Sequence, residues 1–123
     1  MATIVLIDDD DQLRRLFHSA LEHAGYRVLS AAGGKDGVRL LHDQVVDVIL
    51  VDIFMPEMDG LELIPRLRKT RPATKIIAIS GGSDKGDCLD MAKHLGANAT
   101  LKKPFSLQEL LHAVATQLRS SHP

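Results

Sequence analysis

The sequence has very few aromatic residues and only one cysteine. Its 123 residues include no Trp, one Tyr and three Phe, so few rings are available to stack on nucleic-acid bases. The formal charge of −1 gives no general excess of positive charge for binding phosphate backbones. Cys88 alone cannot form an internal disulfide, which is compatible with a reducing cytoplasm. We therefore expect a cytoplasmic location and no nucleic-acid binding through this domain.

Long hydrophobic runs are also missing. The N-terminal apolar run, residues 4–7, is too short for a signal peptide or a membrane span, and four acids follow it at once. We therefore expect no membrane partner. The length and the 45% apolar content suit a single domain over residues 1–123, with its core from about residue 4 to residue 119 and with no output domain in this chain.

Four short apolar runs each end at a polar or charged residue. The first three runs are uninterrupted, which predicts strands covered on both faces. With the residue that follows each, they are 4–7 with Asp8, 48–51 with Asp52, 76–79 with Ser80, and the weaker 99–101 with Lys102. Each predicted strand therefore brings a polar group to its carboxyl end.

Between these runs, apolar residues recur at helical spacing. The clearest stripes lie at 13–24, ended by Gly25, and at 107–118, opened by a capping box of Ser106 and Glu109. A shorter stripe at 88–95 and two less regular segments, around 36–43 and 61–69, complete five predicted helices.

Strands and helices thus alternate five times, with the more polar segment 27–31 as a second strand that should lie at an edge. Strand–helix alternation with short connections predicts a parallel sheet with right-handed crossovers and with helices on both faces. If the strand order is 2-1-3-4-5, the winding reverses between strands one and three, where open sheets of this type bind ligands. Those two strands end at Asp8-Asp9 and at Asp52.

From residue 4 to about residue 119, the sequence resembles a receiver domain of two-component response regulators, of the chemotaxis-regulator type. Four motifs in order carry the resemblance: Asp8-Asp9, the segment 52–60, Ser80, and the tripeptide 103–105. The resemblance implies an α/β, flavodoxin-like (βα)5 fold, with a doubly wound five-stranded parallel sheet of order 2-1-3-4-5. It also implies a signalling phosphoacceptor of a two-component or phosphorelay system, which catalyses only its own phosphoryl transfer and autodephosphorylation.

The resemblance makes Asp52 the phosphoacceptor, and a carboxylate nucleophile can indeed form an aspartyl-phosphate. Three neighbouring acids repel one another, so a cation is needed to keep them ionised, and Mg²⁺ suits oxygen ligands. By the match, Asp9 and Asp52 bind Mg²⁺ directly, and Asp8 acts through water. The backbone carbonyl of Phe54 supplies a further oxygen.

Two more residues would follow the phosphate. Ser80 would donate its hydroxyl, although it could also simply begin a Ser-Gly-Gly turn, and Lys103 rather than its neighbour Lys102 would face the site. Thr100 occupies the switch position where the family often has an aromatic residue. We therefore expect the glycine-containing loop 81–86 to carry more of the signal than a side-chain flip.

Other residues in these motifs have a structural explanation. Asp10 and Asp11 suit the N-cap and first turn of a helix, where acids accept from free N–H groups and complement the helix dipole. Asp59 and Gly60 suit the turn that opens the third helix.

The resemblance also implies partners. A histidine kinase or a histidine phosphotransfer protein would supply the phosphoryl group, and phosphorylation would switch the surface of helix four, strand five and helix five. The output would then pass to an unknown downstream protein target, or through a homodimer formed on phosphorylation.

Two alternatives use a similar topology. A Mg²⁺-dependent phosphatase or phosphotransferase would also form an aspartyl-phosphate, but such enzymes usually need a second acid two residues after the nucleophile, where this chain has Phe54. A flavin-binding module would need a Ser/Thr/Gly-rich loop after the first strand and aromatics around the ring, whereas four acids stand there.

Overall fold

Five strands and five helices alternate along the part of the chain that the structure describes. The computed structural model describes residues 1–42, 44–55, 58–81 and 87–120. The strands are β1 (Thr3–Ile7), β2 (Arg27–Ala31), β3 (Val48–Asp52), β4 (Lys75–Ser80) and β5 (Ala99–Lys102). The helices are α1 (Asp11–His23), α2 (Gly34–Leu41), α3 (Gly60–Thr70), α4 (Asp87–Leu95) and α5 (Leu107–Arg119).

The strands form one parallel sheet in the order β2-β1-β3-β4-β5, which confirms the predicted topology and places the more polar β2 at an edge. The pairing register aligns the strand ends. Ile7 pairs with Val51, so Asp8 and Asp52 follow side by side, and Ser80 pairs with Lys102. The polar residues that end the strands therefore meet at the carboxyl ends of the strands, on one side of the sheet.

Side chains of the central strands alternate between two buried cores, one on each face of the sheet. One core includes Val5, Ile49 and Ile76 and packs against residues of α2, α3 and α4. The other includes Leu6 and Leu50 and packs against α1 and α5. Every residue of β1 and β3 is buried, so burial on both faces explains the uninterrupted apolar runs.

Helix ends agree closely with the capping signals. Asp10 is the N-cap of α1 and accepts from the Leu13 N–H at 3.1 Å, and α5 opens with the Ser106–Glu109 capping box. Gly25 has a φ of +101° and ends α1, a conformation that costs glycine little. The structural roles predicted for these residues are therefore confirmed.

The opening of α3 depends on close backbone contact. Asp59 caps this helix by accepting from the Glu62 N–H at 2.9 Å, and the Gly60 N–H donates to the Ile53 carbonyl at 2.7 Å. A Cβ at Gly60 would lie 2.8 Å from the Asp52 carbonyl oxygen, so only glycine fits without a shift of the backbone. Gly60 thereby holds α3 against the carboxyl end of β3.

The boundaries of two helices differ from the prediction. The helix expected around 36–43 begins at Gly34 and ends at Leu41, because Gly33 adopts the extended N-cap conformation and His42 returns to an extended one. Residue 43 lies outside the described residues. Helix α3 extends one residue further at each end than predicted, and Pro65 is its sixth residue, beyond the first turn.

Three large residues of the predicted apolar stripes remain exposed. Leu16, Met91 and Leu107 keep 49%, 50% and 37% of their surface accessible. A helix that lies against a sheet buries a strip narrower than its full apolar stripe, and Phe17 and Leu110 take the buried positions. Cys88, the first residue of the predicted stripe at 88–95, is half-buried and packs against the core. None of the described helices is long and apolar enough to cross a membrane.

Candidate functional site

Three carboxylates meet where β1 and β3 end. Asp8, Asp9 and Asp52 each offer an oxygen, and these oxygens lie within 4.8 Å of one another. Asp8 is fully buried, Asp52 is 5% exposed, and Asp9 is exposed. The structure therefore brings together the acids that the sequence predicted, at the point where the winding of the sheet reverses.

Asp8 is fixed by the backbone and by one side chain. Its N–H donates to the Ala31 carbonyl at 3.1 Å, and its Oδ1 accepts from the Asp10 N–H at 2.9 Å. Its carbonyl accepts from Arg14 Nη1 at 2.9 Å. Its Oδ2 is buried and has no hydrogen-bond partner among the described residues. A buried carboxylate oxygen that makes no hydrogen bond is suited to a ligand.

Asp52 lies between a backbone donor and an ammonium group. Its Oδ1 accepts from the Phe54 N–H at 2.9 Å, and its Oδ2 lies 3.2 Å from Lys103 Nζ. The same Nζ is 3.5 Å from Asp8 Oδ2, so Lys103 bridges the two buried acids. The Phe54 ring itself is half exposed.

The burial of this cluster changes its ionisation. Burial raises the pKa of Asp52 from its ordinary 3.8 to about 6, and the charge of Asp8 adds to the effect. Lys103 and the Phe54 N–H only partly offset this rise. Burial alone would lower the pKa of Lys103, but the charges of Asp52 and Asp8 outweigh it, so that pKa is raised. The site therefore disfavours the ionised form of Asp52 while it favours the ammonium form of Lys103.

The donor set fits a hard divalent cation. Three carboxylates supply oxygens only, and the buried Asp8 Oδ2 still lacks a hydrogen bond among the residues described. One ammonium group cannot neutralise three carboxylates, so a cation would relieve their repulsion.

Ser80 and Lys103 are joined through the backbone. The Lys103 N–H donates to the Ser80 carbonyl at 2.8 Å, and the bond from Lys103 to Pro104 is cis. The Ser80 side chain is buried, and its hydroxyl donates to the Gly81 carbonyl at 3.4 Å. Lys102 is exposed, so Lys103 is the lysine of the pair that faces the acids.

Thr100 lies in β5, half-buried and paired with Ala78 of β4. Residues 82–86, which form most of the loop expected to carry the signal, lie outside the described residues. Two residues of the acceptor segment, Pro56 and Glu57, lie outside them as well.

Two arginines that were not singled out in the sequence make many contacts. Arg14 binds the Asp8 carbonyl and, through Nη2, Asp11 Oδ1 at 2.6 Å. The three-residue spacing of Arg14 and Asp11 signals an ion pair on a helix. The bond to the Asp8 carbonyl has no local sequence signal, because it depends on how α1 packs against the sheet.

Arg68 joins segments at the other end of the sheet. Its guanidinium donates to the Thr74 carbonyl at 2.8 Å, to the Gly96 carbonyl at 2.9 Å and 3.1 Å, and to Asn98 Oδ1 at 2.6 Å. It thereby ties the end of α3 to the start of β4 and to the loop between α4 and β5.

Comparison with known proteins gives a consistent result. The family model of the response regulator receiver domain matches residues 4–115. The transcriptional regulatory protein CpxR of Klebsiella pneumoniae is 36% identical over 122 residues, which cover 99% of this chain and 51% of CpxR. The sensor kinase CckA of Brucella abortus is 38% identical over 95% of this chain and 12% of its own length.

A solved structure shows the same fold. The CheY-like receiver domain protein of Methanospirillum hungatei has a TM-score of 0.92 and 28% identity, covering 98% of this chain and 96% of that one. The fold, the acid cluster and these matches define a phosphoaccepting signalling module rather than a phosphatase. The chain belongs to the response regulator receiver domain family of two-component systems. It spans about half of CpxR and a smaller part of CckA.

Proposed function

We propose that Asp52 accepts a phosphoryl group from a phosphohistidine of a partner protein. The observation that carries this proposal is the position of its carboxylate, buried at the switch point with Oδ2 3.2 Å from Lys103 Nζ. A phosphoryl group bonded to this carboxylate would lie beside a fixed positive charge. Electrostatic stabilisation and positioning of this kind are the main catalytic contributions in phosphoryl transfer.

In this proposal the acid cluster holds Mg²⁺. Asp9 and Asp52 bind the ion directly, Asp8 acts through water, and the Phe54 carbonyl adds an oxygen. The buried Asp8 Oδ2, without a hydrogen bond among the described residues, supports this assignment. When bound, Mg²⁺ would neutralise the carboxylates and the incoming phosphate. The chain would otherwise catalyse only its own phosphorylation and autodephosphorylation.

The signal leaves the site through two residues. Ser80 donates its hydroxyl to the new phosphoryl group, and Lys103 pairs with it from the other side. The hydrogen bond from the Lys103 N–H to the Ser80 carbonyl couples the ends of β4 and β5. The charge added, about −1.5 to −2 by analogy with other phosphorylated side chains, then changes the surface formed by α4, β5 and α5. Thr100 contributes little, because it has no ring to report the state of the site.

The phosphodonor is a histidine kinase or a histidine phosphotransfer protein. An apolar groove of about 370 Å³ lies beside Lys103, lined by Leu13, Leu16, Phe17, Phe105 and Leu107 among others. We propose that an apolar helix face of the donor docks there, since transfer requires the donor histidine close to Asp52. The downstream partner is another protein, or a second copy of the chain after phosphorylation, and we place these events in the cytoplasm.

The test is phosphoryl transfer from a panel of phosphorylated histidine kinases and phosphotransfer proteins. At least one donor should label the wild-type protein in the presence of Mg²⁺, and Asp52→Asn should abolish the labelling. Leu16→Asp should slow transfer from the protein donor but not from a small phosphodonor, because it changes the groove and leaves the acids in place. Labelling of Asp52→Asn at the wild-type rate would contradict the proposal.

A further inference from the structure

Arg14 makes the one side-chain contact described for the backbone that carries the acid pair. Its Nη1 donates to the Asp8 carbonyl at 2.9 Å, and its Nη2 pairs with Asp11 Oδ1 at 2.6 Å. The side chain is only 17% exposed. The two ends of the guanidinium fork therefore join the segment after β1 to the first turn of α1.

The Asp8 carbonyl belongs to the peptide unit that also carries the Asp9 N–H. A peptide unit is planar, so an anchor on its oxygen also fixes its rotation. The other polar groups of Asp8 with hydrogen bonds, its N–H and Oδ1, are held by Ala31 and Asp10. Among the described residues, the Arg14 contact is thus the one hydrogen bond made to the peptide unit that joins Asp8 to Asp9. Asp9 itself is exposed and has less packing to hold it.

We infer that Arg14 is a positioning residue for the cation site, acting through the Asp8–Asp9 peptide. Without Arg14, the buried carbonyl would need another donor, and the peptide would rotate to find one. That rotation would move the Asp9 carboxylate away from Asp8 Oδ2 and Asp52. This inference rests on the proposed function, in which Asp9 is a direct ligand. Residues that orient ligands typically change metal affinity by about 10- to 100-fold when they are replaced.

The sign of the effect separates positioning from simple electrostatics. Removing a positive charge near three carboxylates should tighten Mg²⁺ binding if charge alone matters. If Arg14 positions the site, the reverse is expected: Arg14→Met should bind Mg²⁺ about tenfold more weakly. Arg14→Lys keeps the charge but loses the planar fork, so positioning predicts weaker binding for this variant also.

The experiment measures Mg²⁺ affinity by calorimetric titration of the whole chain, with Arg15→Met as the matched control. Arg15 is the next residue on α1, has the same charge and is exposed. We expect both Arg14 variants to bind Mg²⁺ about tenfold more weakly and Arg15→Met to stay within twofold of the wild type. Unchanged or tighter binding in folded Arg14→Lys and Arg14→Met would overturn the inference.

A second readout does not need the metal. In Mg²⁺-free protein, the backbone amide signals of Asp9 and Asp10 should shift in both Arg14 variants and should not shift in Arg15→Met. Asp9→Ala tests the ligand assignment separately: wild-type affinity in that variant would contradict the proposed metal site. Unperturbed amides in the Arg14 variants would contradict only the positioning role.

Discussion

Replacing Asp52 by Asn should stabilise the metal-free protein. Burial and the charge of Asp8 raise the pKa of Asp52 from 3.8 to about 6, so the ionised form is less favourable in the folded chain than in the unfolded one. At about 1.4 kcal/mol per pH unit, this costs the folded state about 3 kcal/mol at neutral pH. Asn is uncharged and nearly isosteric, so it removes that cost. For a domain of this size, the gain corresponds to a melting temperature higher by about 10 °C.

The pH dependence follows from the same shift. Because the folded-state pKa of Asp52 is raised, the free energy of unfolding of the wild type falls as pH rises from about 4 through about 6. The free energy of unfolding of Asp52→Asn should therefore exceed that of the wild type by the full amount at pH 7.5, and the difference should vanish below pH 4. Added Mg²⁺ should also reduce the advantage, because the cation stabilises the wild-type carboxylates.

Urea unfolding followed by far-ultraviolet circular dichroism suits this test, since the chain has no Trp. The samples should contain a chelator and cover the range from pH 3.5 to pH 7.5. Asp90→Asn is the control, because Asp90 is exposed and its replacement should change the free energy of unfolding by less than about 0.5 kcal/mol. An Asp52→Asn variant no more stable than the wild type at pH 7.5 would refute the electrostatic argument.

Three further predictions concern the metal, the signal and the scaffold. Asp9→Ala should weaken Mg²⁺ binding more than Asp8→Ala does in a calorimetric titration, because the first removes a direct ligand. Ser80→Ala should leave phosphorylation intact but suppress the shift of α4 amide signals on adding a phosphoryl mimic, whereas Thr100→Ala should change that shift little. Arg68→Met should lower the free energy of unfolding by about 3 kcal/mol, since it leaves carbonyl groups without their charged donor.

Each of these predictions has its own control or contrary outcome. If Asp10→Ala loses as much Mg²⁺ affinity as Asp9→Ala, the acid pair has been assigned one residue too early in the sequence. A blocked α4 shift in Thr100→Ala, with a normal shift in Ser80→Ala, would contradict the proposed signal route. Arg66→Met is the control for Arg68, because Arg66 is exposed on the same helix and should tolerate the change within about 0.5 kcal/mol.

The sheet could be predicted because its strands are covered on both faces. That burial favours the apolar residues at positions 4–7 of β1, and the chain turns polar where the strand ends, at Asp8. Parallel pairing then places all carboxyl ends at one edge, so the acids had to lie together. The caps at Asp10 and Ser106 could be predicted because they depend on hydrogen bonds within three residues.

What could not be predicted depends on contacts between distant segments. Arg14 and Arg68 bind backbone carbonyls, which every residue has, so no sequence pattern marks their partners. The exposure of Leu16 and Met91 depends on how each helix is rotated against the sheet. The limits of α2 depend on extended backbone conformations at Gly33 and His42, for which the apolar spacing gives no signal.

The most direct test of the central proposal identifies the residue that carries the phosphoryl group. The protein is phosphorylated with a small phosphodonor and Mg²⁺, reduced with borohydride, digested and analysed by mass spectrometry. Reduction of an aspartyl-phosphate converts that aspartate to homoserine. The account predicts one phosphoryl group per chain, homoserine at position 52, and no reduced product in Asp52→Asn. Homoserine at position 8 or 9 of the wild type, with position 52 unmodified, would contradict it.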